Sequence, residues 1–220
     1  NRSGVPLMEI VTEPDLRSAS QTKEFLKKLQ QLVRCLGVSD ADMEKGQMRC
    51  EPTVNLKITK NNFDYYTPLV EIKNINSFSF VEKAINYEIK RQWEEFQKTG
   101  KEKEPGNKTT RGWDEKRQQT ILQREKEEAA DYRYFPEPDL PPIILTEREI
   151  EEIKSEIPEL PEEKISRLKK LGLSSYQAEI LSRFDEKLKI FDSVLKTKPN
   201  LPPVKVADLL INKKLKSTKK

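Results

Sequence analysis

Residues 47–59 read Gln-Met-Arg-Cys-Glu-Pro-Thr-Val-Asn-Leu-Lys-Ile-Thr and contain the clearest strand pattern in the sequence. Apolar side chains at positions 48, 50, 54, 56 and 58 alternate with polar ones, which predicts a strand with one apolar and one polar face. Pro52 lies on the apolar register, which favours an edge strand or a bulge. A turn at Asn61-Asn62 and a second strand over residues 65–73 follow.

Further elements are predicted on both sides of these strands. The apolar run at 5–12 predicts a buried strand that contains Glu9, and Ser18 begins a helix that ends near Gly37. Ser79 and Glu82 predict a capping box for a helix over 80–97, and residues 109–124 predict a hairpin. One helical turn at 125–130 and an extended, proline-rich segment at 132–142 come next.

The composition changes after this segment, and we place a domain boundary near Leu145. The first domain then covers residues 1–145 and the second covers 146–220. Thr146 and Glu149 predict a capping box for the first of several charged helices. These helices are expected at 147–156, 161–171, 174–182 and 184–197.

The composition excludes several kinds of chemistry. The 220 residues contain 41 Lys plus Arg, 37 Asp plus Glu, two Cys and no His. A Ser-His-Asp triad, a Cys-His pair and an imidazole zinc site are therefore excluded within this sequence, and two cysteines are too few for a four-thiolate site. Carboxylates, Lys, Arg and backbone amides remain as chemical groups. We find no membrane span, because no apolar run approaches about 20 residues.

The strongest chemical signal is a set of carboxylates on the predicted strands. Glu9, Glu51 and Glu71 fall on three strands, and if these strands are neighbours the carboxylates converge. Hard oxygen ligands of this kind suit Mg²⁺. Arg49 and Lys73 lie two residues from Glu51 and Glu71, where they would neutralise phosphates during phosphoryl transfer. The alternative is a solvent-facing sheet with ordinary cross-strand ion pairs.

Two other segments leave alternatives open. Residues 131–139 alternate aromatic, basic and acidic side chains, and they fit either a phosphate- or base-contacting loop or a proline-rich linker packed on the sheet. The lysine-rich helices and C-terminal end fit either RNA contact or solvated, ion-paired surfaces.

Five motifs, in order, resemble the B subunit of the bacterial and organellar aspartyl/glutamyl-tRNA amidotransferases. They are NRSGVPLMEIVTEPD at 1–15, GVSD at 37–40, MEKGQMRC at 43–50, EIKNINSF at 71–78 and DYRYFPEPDLPP at 131–142. The resemblance implies an α+β fold, namely the antiparallel-sheet half of a glutamine synthetase- or guanidino kinase-like domain, followed by an α-helical domain. It also implies that the family's N-terminal metal-ligand section and C-terminal tail domain lie outside these residues, so we expect the 220 residues alone to be inactive.

The resemblance implies a C–N ligase that uses ATP, Mg²⁺ and glutamine as the amido donor. The family phosphorylates the side-chain carboxylate of Glu-tRNA(Gln) or Asp-tRNA(Asn), and ammonia then displaces the phosphate. The implied partners are an amidase subunit, a small third subunit and tRNA, with no membrane. The implied location is a bacterial cytoplasm or an organellar matrix.

Carried over to this sequence, Glu9 and Glu51 match metal-ligand positions, and Glu71 matches a catalytic motif position. Arg49, Lys73 and Arg133 match positions that we assign to phosphate or ATP binding. The sequence departs from the family pattern at several sites: Glu51 replaces Asp, Pro52 and Thr53 replace a small residue and Asn, Thr110 replaces Glu, and Ala130 replaces His. The departures at Glu51, Thr53 and Thr110 motivate an alternative hypothesis, a non-catalytic RNA-binding or assembly module that kept the fold and lost the chemistry. A third hypothesis is a carboxylate kinase that acts without tRNA.

Overall fold

The computed structural model describes residues 6–125, 139 and 141–212, which form two compact units. The first unit contains residues 6–27 and 42–125, and the second contains residues 28–41, 139 and 141–212. The predicted α+β class is confirmed at this level, since the first unit combines a sheet with helices and the second is helical. The boundary near Leu145 and the likeness to glutamine synthetase stay predictions.

The strands of the first unit form two sheets. In chain order they are β1 (Thr53–Val54), β2 (Lys57–Lys60), β3 (Phe63–Tyr66), β4 (Val70–Lys73), β5 (Thr109–Asp114) and β6 (Gln119–Arg124). The larger sheet has the order β1-β4-β5-β6, and β2 and β3 form a separate antiparallel pair. Because β4 and β5 run parallel while the other neighbours are antiparallel, the larger sheet is mixed and the expected antiparallel sheet is corrected.

Two helices, α1 (Ala19–Cys35) and α2 (Phe78–Thr99), accompany these sheets. Helix α2 lies between β4 and β5 in the chain. It provides the long crossover connection that two parallel neighbouring strands need. The predicted helix over 80–97 is confirmed, but its N-cap is Ser77, whose side chain accepts a hydrogen bond from the Phe80 N–H. The expected capping box at Ser79 is therefore wrong. Ser18 caps α1 as predicted, since its hydroxyl accepts from the Gln21 N–H at 3.1 Å.

The core of the first unit lies between α2 and one face of the larger sheet. Val70 and Ile72 of β4 pack with Val81 and Ala84 of α2, and Trp113 of β5 completes this layer. All five side chains are buried, at 5% exposure or less. The apolar stripe of α2 thus holds the helix on this face of the sheet.

Three strand predictions are wrong, two in their bounds and one because no strand forms. Residues 47–59 do not form one strand, because β1 and β2 belong to different sheets, and residues 65–73 are likewise divided between β3 and β4. Residues 6–12 have no regular secondary structure and are exposed, with Leu7 at 88% and Val11 at 83%. A strand needs a hydrogen-bonding partner, and no described strand pairs with these residues.

Helices alone build the second unit. They are the C-terminal part of α1 together with α3 (Glu147–Ser155), α4 (Pro161–Lys170), α5 (Ser175–Arg183), α6 (Asp185–Thr197) and α7 (Pro203–Asn212). Helices α3 to α6 confirm the predictions, including the reciprocal capping box of Thr146 and Glu149, whereas α7 was not predicted. Leu168, Leu181 and Phe191 form the centre of the core.

In the part of the chain that the structure describes, every helix is too short or too polar to span a lipid bilayer. The predicted helical turn at 125–130 and the extended segment at 132–142 lie mostly outside the described residues.

Candidate functional site

The two faces of the larger sheet differ in what covers them. Ile72 of β4 is opposite Arg111 of β5, and both lie on the face that packs against α2, where Arg111 contacts Glu88. Because side chains alternate along a strand, Glu71 and Lys73 lie on the other face. We call this other surface the charged face and define it by four residues: Glu51, Glu71, Lys73 and Lys108.

Salt bridges connect all four residues of the charged face. The Glu71 Oε2 atom lies 2.7 Å from the Lys108 Nζ atom, and Glu71 Oε1 lies 3.2 Å from the Lys73 Nζ atom. Lys73 Nζ also lies 3.4 Å from Glu51 Oε2. The antiparallel pairing of β1 with β4 places Thr53 opposite Glu71, and this register brings Glu51 alongside Lys73. Two lysines and two carboxylates therefore alternate in one row.

The environment favours the charged forms of Glu71 and Lys73. Burial raises the pKa of Glu71, but the hydrogen bonds and charges of Lys108 and Lys73 outweigh this effect and hold the pKa below its ordinary value. The hydrogen bond to Glu71 likewise raises the pKa of Lys73 above its ordinary value. The side chain of Glu71 is 17% exposed and that of Lys73 is 41% exposed, so a ligand can still reach them from solvent.

The charged face has the chemistry of a phosphate or metal site. Glu51 and Glu71 provide hard carboxylate oxygens, which are the ligands that Mg²⁺ prefers. Lys73 and Lys108 provide ammonium groups that neutralise phosphate oxygens. The donor set therefore fits a magnesium ion bound with a phosphorylated ligand.

Glu9 and Arg49, which were also predicted as site residues, make no salt bridge with the four residues of the charged face. Glu9 lies in the exposed segment 6–12, and Arg49 is exposed and makes no ion pair with the described residues. Within residues 6–125, 139 and 141–212, no three Asp, Glu or Cys side chains group closely enough to hold a metal. The hypothesis that Glu9, Glu51 and Glu71 converge is therefore corrected. Arg133 lies outside the described residues.

A second polar cluster lies on the opposite face of the sheet, around Glu88 of α2. Glu88 is fully buried and accepts hydrogen bonds from Arg91 at 2.9 to 3.1 Å. The Thr120 hydroxyl also donates to it, and the Arg111 Nε atom lies 3.1 Å away. Gln92 donates to Glu88 at 3.3 Å and accepts from the Thr67 hydroxyl at 2.6 Å. This network joins α2 to β5 and β6.

The sequence interpretation missed Lys108 and the role of Glu88. Lys108 immediately precedes β5, and no local pattern shows that the parallel pairing with β4 brings it to Glu71. Glu88 did give a signal, since it is a carboxylate within the largely apolar stripe of a helix. Such a position requires a buried partner, and Arg91 one turn later was available as that partner.

A mixed α+β domain with alternating carboxylates and lysines on one sheet face defines a candidate phosphate- and metal-handling protein. Residues 1–151 match the family model of the GatB/GatE catalytic domain. This match covers more than half of the sequence, and the chain belongs to that family.

Three similar curated proteins share one name, the B subunit of aspartyl/glutamyl-tRNA(Asn/Gln) amidotransferase. The protein of Thermosipho melanesiensis is 48% identical over 201 residues, which are 91% of this chain and 41% of the relative. The protein of Gloeothece citriformis is 47% identical over 201 residues, covering 91% and 39% of the two chains. The protein of Persephonella marina is 46% identical over 216 residues, covering 98% and 44%. The chain thus spans about two fifths of the length of these relatives.

Proposed function

We propose that this chain carries part of the ATP-dependent step of an aspartyl/glutamyl-tRNA(Asn/Gln) amidotransferase. The substrate would be Glu-tRNA(Gln), Asp-tRNA(Asn) or both, and the overall reaction would form a C–N bond with glutamine as the amido donor. The observation that carries the proposal is the row on the charged face, in which Lys108 and Lys73 flank Glu71 and Lys73 also reaches Glu51. Family membership and the names of the relatives support the same reaction.

In the proposed reaction, an oxygen of the substrate's side-chain carboxylate attacks the γ-phosphorus of ATP. The bond between this phosphorus and the bridging oxygen breaks, and ADP leaves with the electron pair. Ammonia then attacks the acyl phosphate and displaces inorganic phosphate, which gives the amide. Neither step needs a side-chain nucleophile, so positioning and charge neutralisation supply the catalysis.

The proposed roles follow from the geometry of the charged face. Glu51 and Glu71 would hold Mg²⁺, which neutralises phosphate charge when bound. Lys73 and Lys108 would contact the phosphate oxygens that gain charge during transfer. For Glu9, Arg49 and Arg133, metal and phosphate roles are retained as proposals that rest on the motifs alone.

The proposed assembly contains an amidase subunit, which releases ammonia from glutamine, and a small third subunit. The complex would act on tRNA in a bacterial cytoplasm or an organellar matrix. The names of the relatives support membership of a larger complex, since each name designates one subunit of an amidotransferase.

The test uses the full-length protein assembled with its partner subunits and supplied with Glu-tRNA(Gln). Glu71→Gln keeps the size of the side chain and removes its charge. We expect ATP-dependent phosphorylation of the substrate to fall by about 100-fold or more, while glutamine hydrolysis by the complex stays near the wild-type rate. Glu94→Gln is the matched control, because Glu94 is an exposed residue of α2 whose nearest lysine, Lys90, is 4.0 Å away. Glu9→Gln tests the motif-based role in the same assay.

Two outcomes would overturn the proposal. If Glu71→Gln forms the amide at the wild-type rate, the charged face is not the site of phosphoryl transfer. If the wild-type complex binds tRNA but never releases ADP in its presence, the protein is the non-catalytic module. Phosphorylation of free glutamate without tRNA would instead identify a carboxylate kinase.

A further inference from the structure

A cleft lies beside the buried Glu88 network, on the α2 side of the larger sheet. Its volume is about 160 Å³. Its lining includes Arg91 and Gln92 of α2, Arg111 of β5, and Lys101 from the loop that follows α2. Because Arg111 and Glu71 lie on opposite faces of the sheet, this cleft is separate from the charged face.

Arg91 and Arg111 of the cleft differ in how many of their N–H groups donate hydrogen bonds within the protein. Arg91 directs Nε and Nη2 to Glu88 and Nη1 to Glu95 at 2.7 Å. Arg111 donates from Nε to the Thr120 hydroxyl at 2.8 Å and from Nη2 to the Thr120 carbonyl at 3.0 Å. Its Nη1 group makes no hydrogen bond to any residue that the structure describes. Of its five N–H donors, Arg111 therefore keeps three for a ligand, two on Nη1 and one on Nη2.

The charges around the cleft are equal in number, three cations and three carboxylates, but only some of them are paired. One buried carboxylate, Glu88, lies between two guanidinium groups, and among the described residues Glu95 pairs with Arg91. Lys101 lines the cleft and forms no ion pair with residues 6–125. Glu125 is the remaining acid of the lining and is exposed. Burial, followed by the charge of Arg91, lowers the pKa of Arg111 and outweighs the opposing effect of Glu88.

We propose that this cleft binds a small oxyanion, a single phosphate or carboxylate group, between Arg111 and Lys101. One free N–H on Nη1 and the free N–H on Nη2 of Arg111 are parallel and match the planar spacing of two oxygens on such an anion. The Lys101 ammonium supplies a second positive charge from the exposed side. The volume admits one such group and not a nucleotide, since clefts that hold larger ligands measure about 300 Å³ or more. This site is additional to the proposed phosphoryl-transfer site.

The experiment is a calorimetric titration of the full-length protein with inorganic phosphate, acetate and chloride at equal ionic strength. We expect phosphate or acetate to bind in the cleft and chloride not to bind there. Lys101→Ala should weaken that binding about tenfold, the loss of one charge-assisted hydrogen bond. Lys101 is exposed, so this variant retains the fold, whereas Arg111→Gln would also disturb the Glu88 network.

One further variant assigns the binding to the cleft. Lys98→Ala removes an exposed lysine near the end of α2 that does not line the cleft, and it should leave the affinity unchanged. Phosphate binding that depends on Lys101 identifies a phosphate site, and acetate binding that depends on it identifies a carboxylate site. If neither anion binds better than chloride, or if Lys98→Ala weakens binding as much as Lys101→Ala, the proposal is wrong.

Discussion

Replacement of Glu88 by Gln should strongly destabilise the first unit. Glu88 is fully buried and compensates the charges of Arg91 and Arg111. Removing one partner of a buried ion pair costs about 3 to 5 kcal/mol, because the remaining charge stays buried without compensation. Gln has nearly the same volume, so no cavity forms, and Glu95 still pairs with Arg91. We therefore expect the lower end of the range, a loss of about 3 kcal/mol in the free energy of unfolding.

The chain contains its own probe for this measurement. Both of its tryptophans, Trp93 in α2 and Trp113 in β5, lie in the first unit. Trp113 is 5% exposed, so unfolding transfers its ring into water and changes its fluorescence. With a dependence on urea of about 1 to 3 kcal/mol per molar, a loss of about 3 kcal/mol lowers the urea midpoint by about 1 to 3 M.

The matched control for this prediction is Glu94→Gln, on the same helix. The Glu94 side chain is 53% exposed and lies 4.0 Å from Lys90, so its replacement should change the unfolding free energy by less than about 0.5 kcal/mol. If Glu88→Gln unfolds within that margin of the wild-type protein, the two guanidinium groups do not depend on Glu88 for compensation. That result would refute the stabilising role assigned to the buried carboxylate.

The charged face and strand β5 yield two smaller predictions. Burial raises the pKa of Glu71, but Lys108 and Lys73 lower it overall, so the stability contributed by this carboxylate is complete above its ordinary pKa of 4.5 and is lost as the pH falls through the folded-state value. Urea unfolding below pH 4.5 should therefore show a steeper loss for the wild-type protein than for Glu71→Gln, and parallel curves would contradict this. A Cβ atom on Gly112 would clash with the side-chain amide of Gln123, so Gly112→Ala should cost about 1 kcal/mol by displacing that side chain. Gln123→Ala in the same chain should remove the cost in a double-mutant cycle, and an unchanged cost would show that the backbone is responsible.

Local signals in the sequence predicted the helices well. The apolar stripe of α2 gave its position within two residues at each end, 80–97 against Phe78–Thr99. Thr146 and Glu149 cap α3 through both bonds of the predicted box, because both partners are within one turn of each other. The error at Ser79 has a local cause as well. Ser77 has an extended backbone at φ −149° and ψ 153°, which directs its side chain to the first free N–H groups of the helix.

The strands were harder to predict because their partners are distant in sequence. The alternation over 47–59 continues across the gap between β1 and β2, so it does not show that β1 pairs with β4 while β2 pairs with β3. The apolar run at 5–12 shows the same limit. Its composition is typical of a strand, yet residues 6–12 are exposed, since no described strand offers them hydrogen bonds.

Strand β5 explains why the candidate site was only partly predictable. Lys108, just before this strand, pairs with Glu71 on the charged face, and Arg111 within it contacts Glu88 on the face beneath α2. The first contact depends on the parallel register between β4 and β5, and the second depends on the packing of α2 against β5. The sequence of a single strand encodes neither. Exposure then distinguishes the two carboxylates. Glu88 has no exposed surface, so its charge serves the fold, whereas Glu71 remains 17% exposed between two ammonium groups, as the proposed contact with a ligand requires.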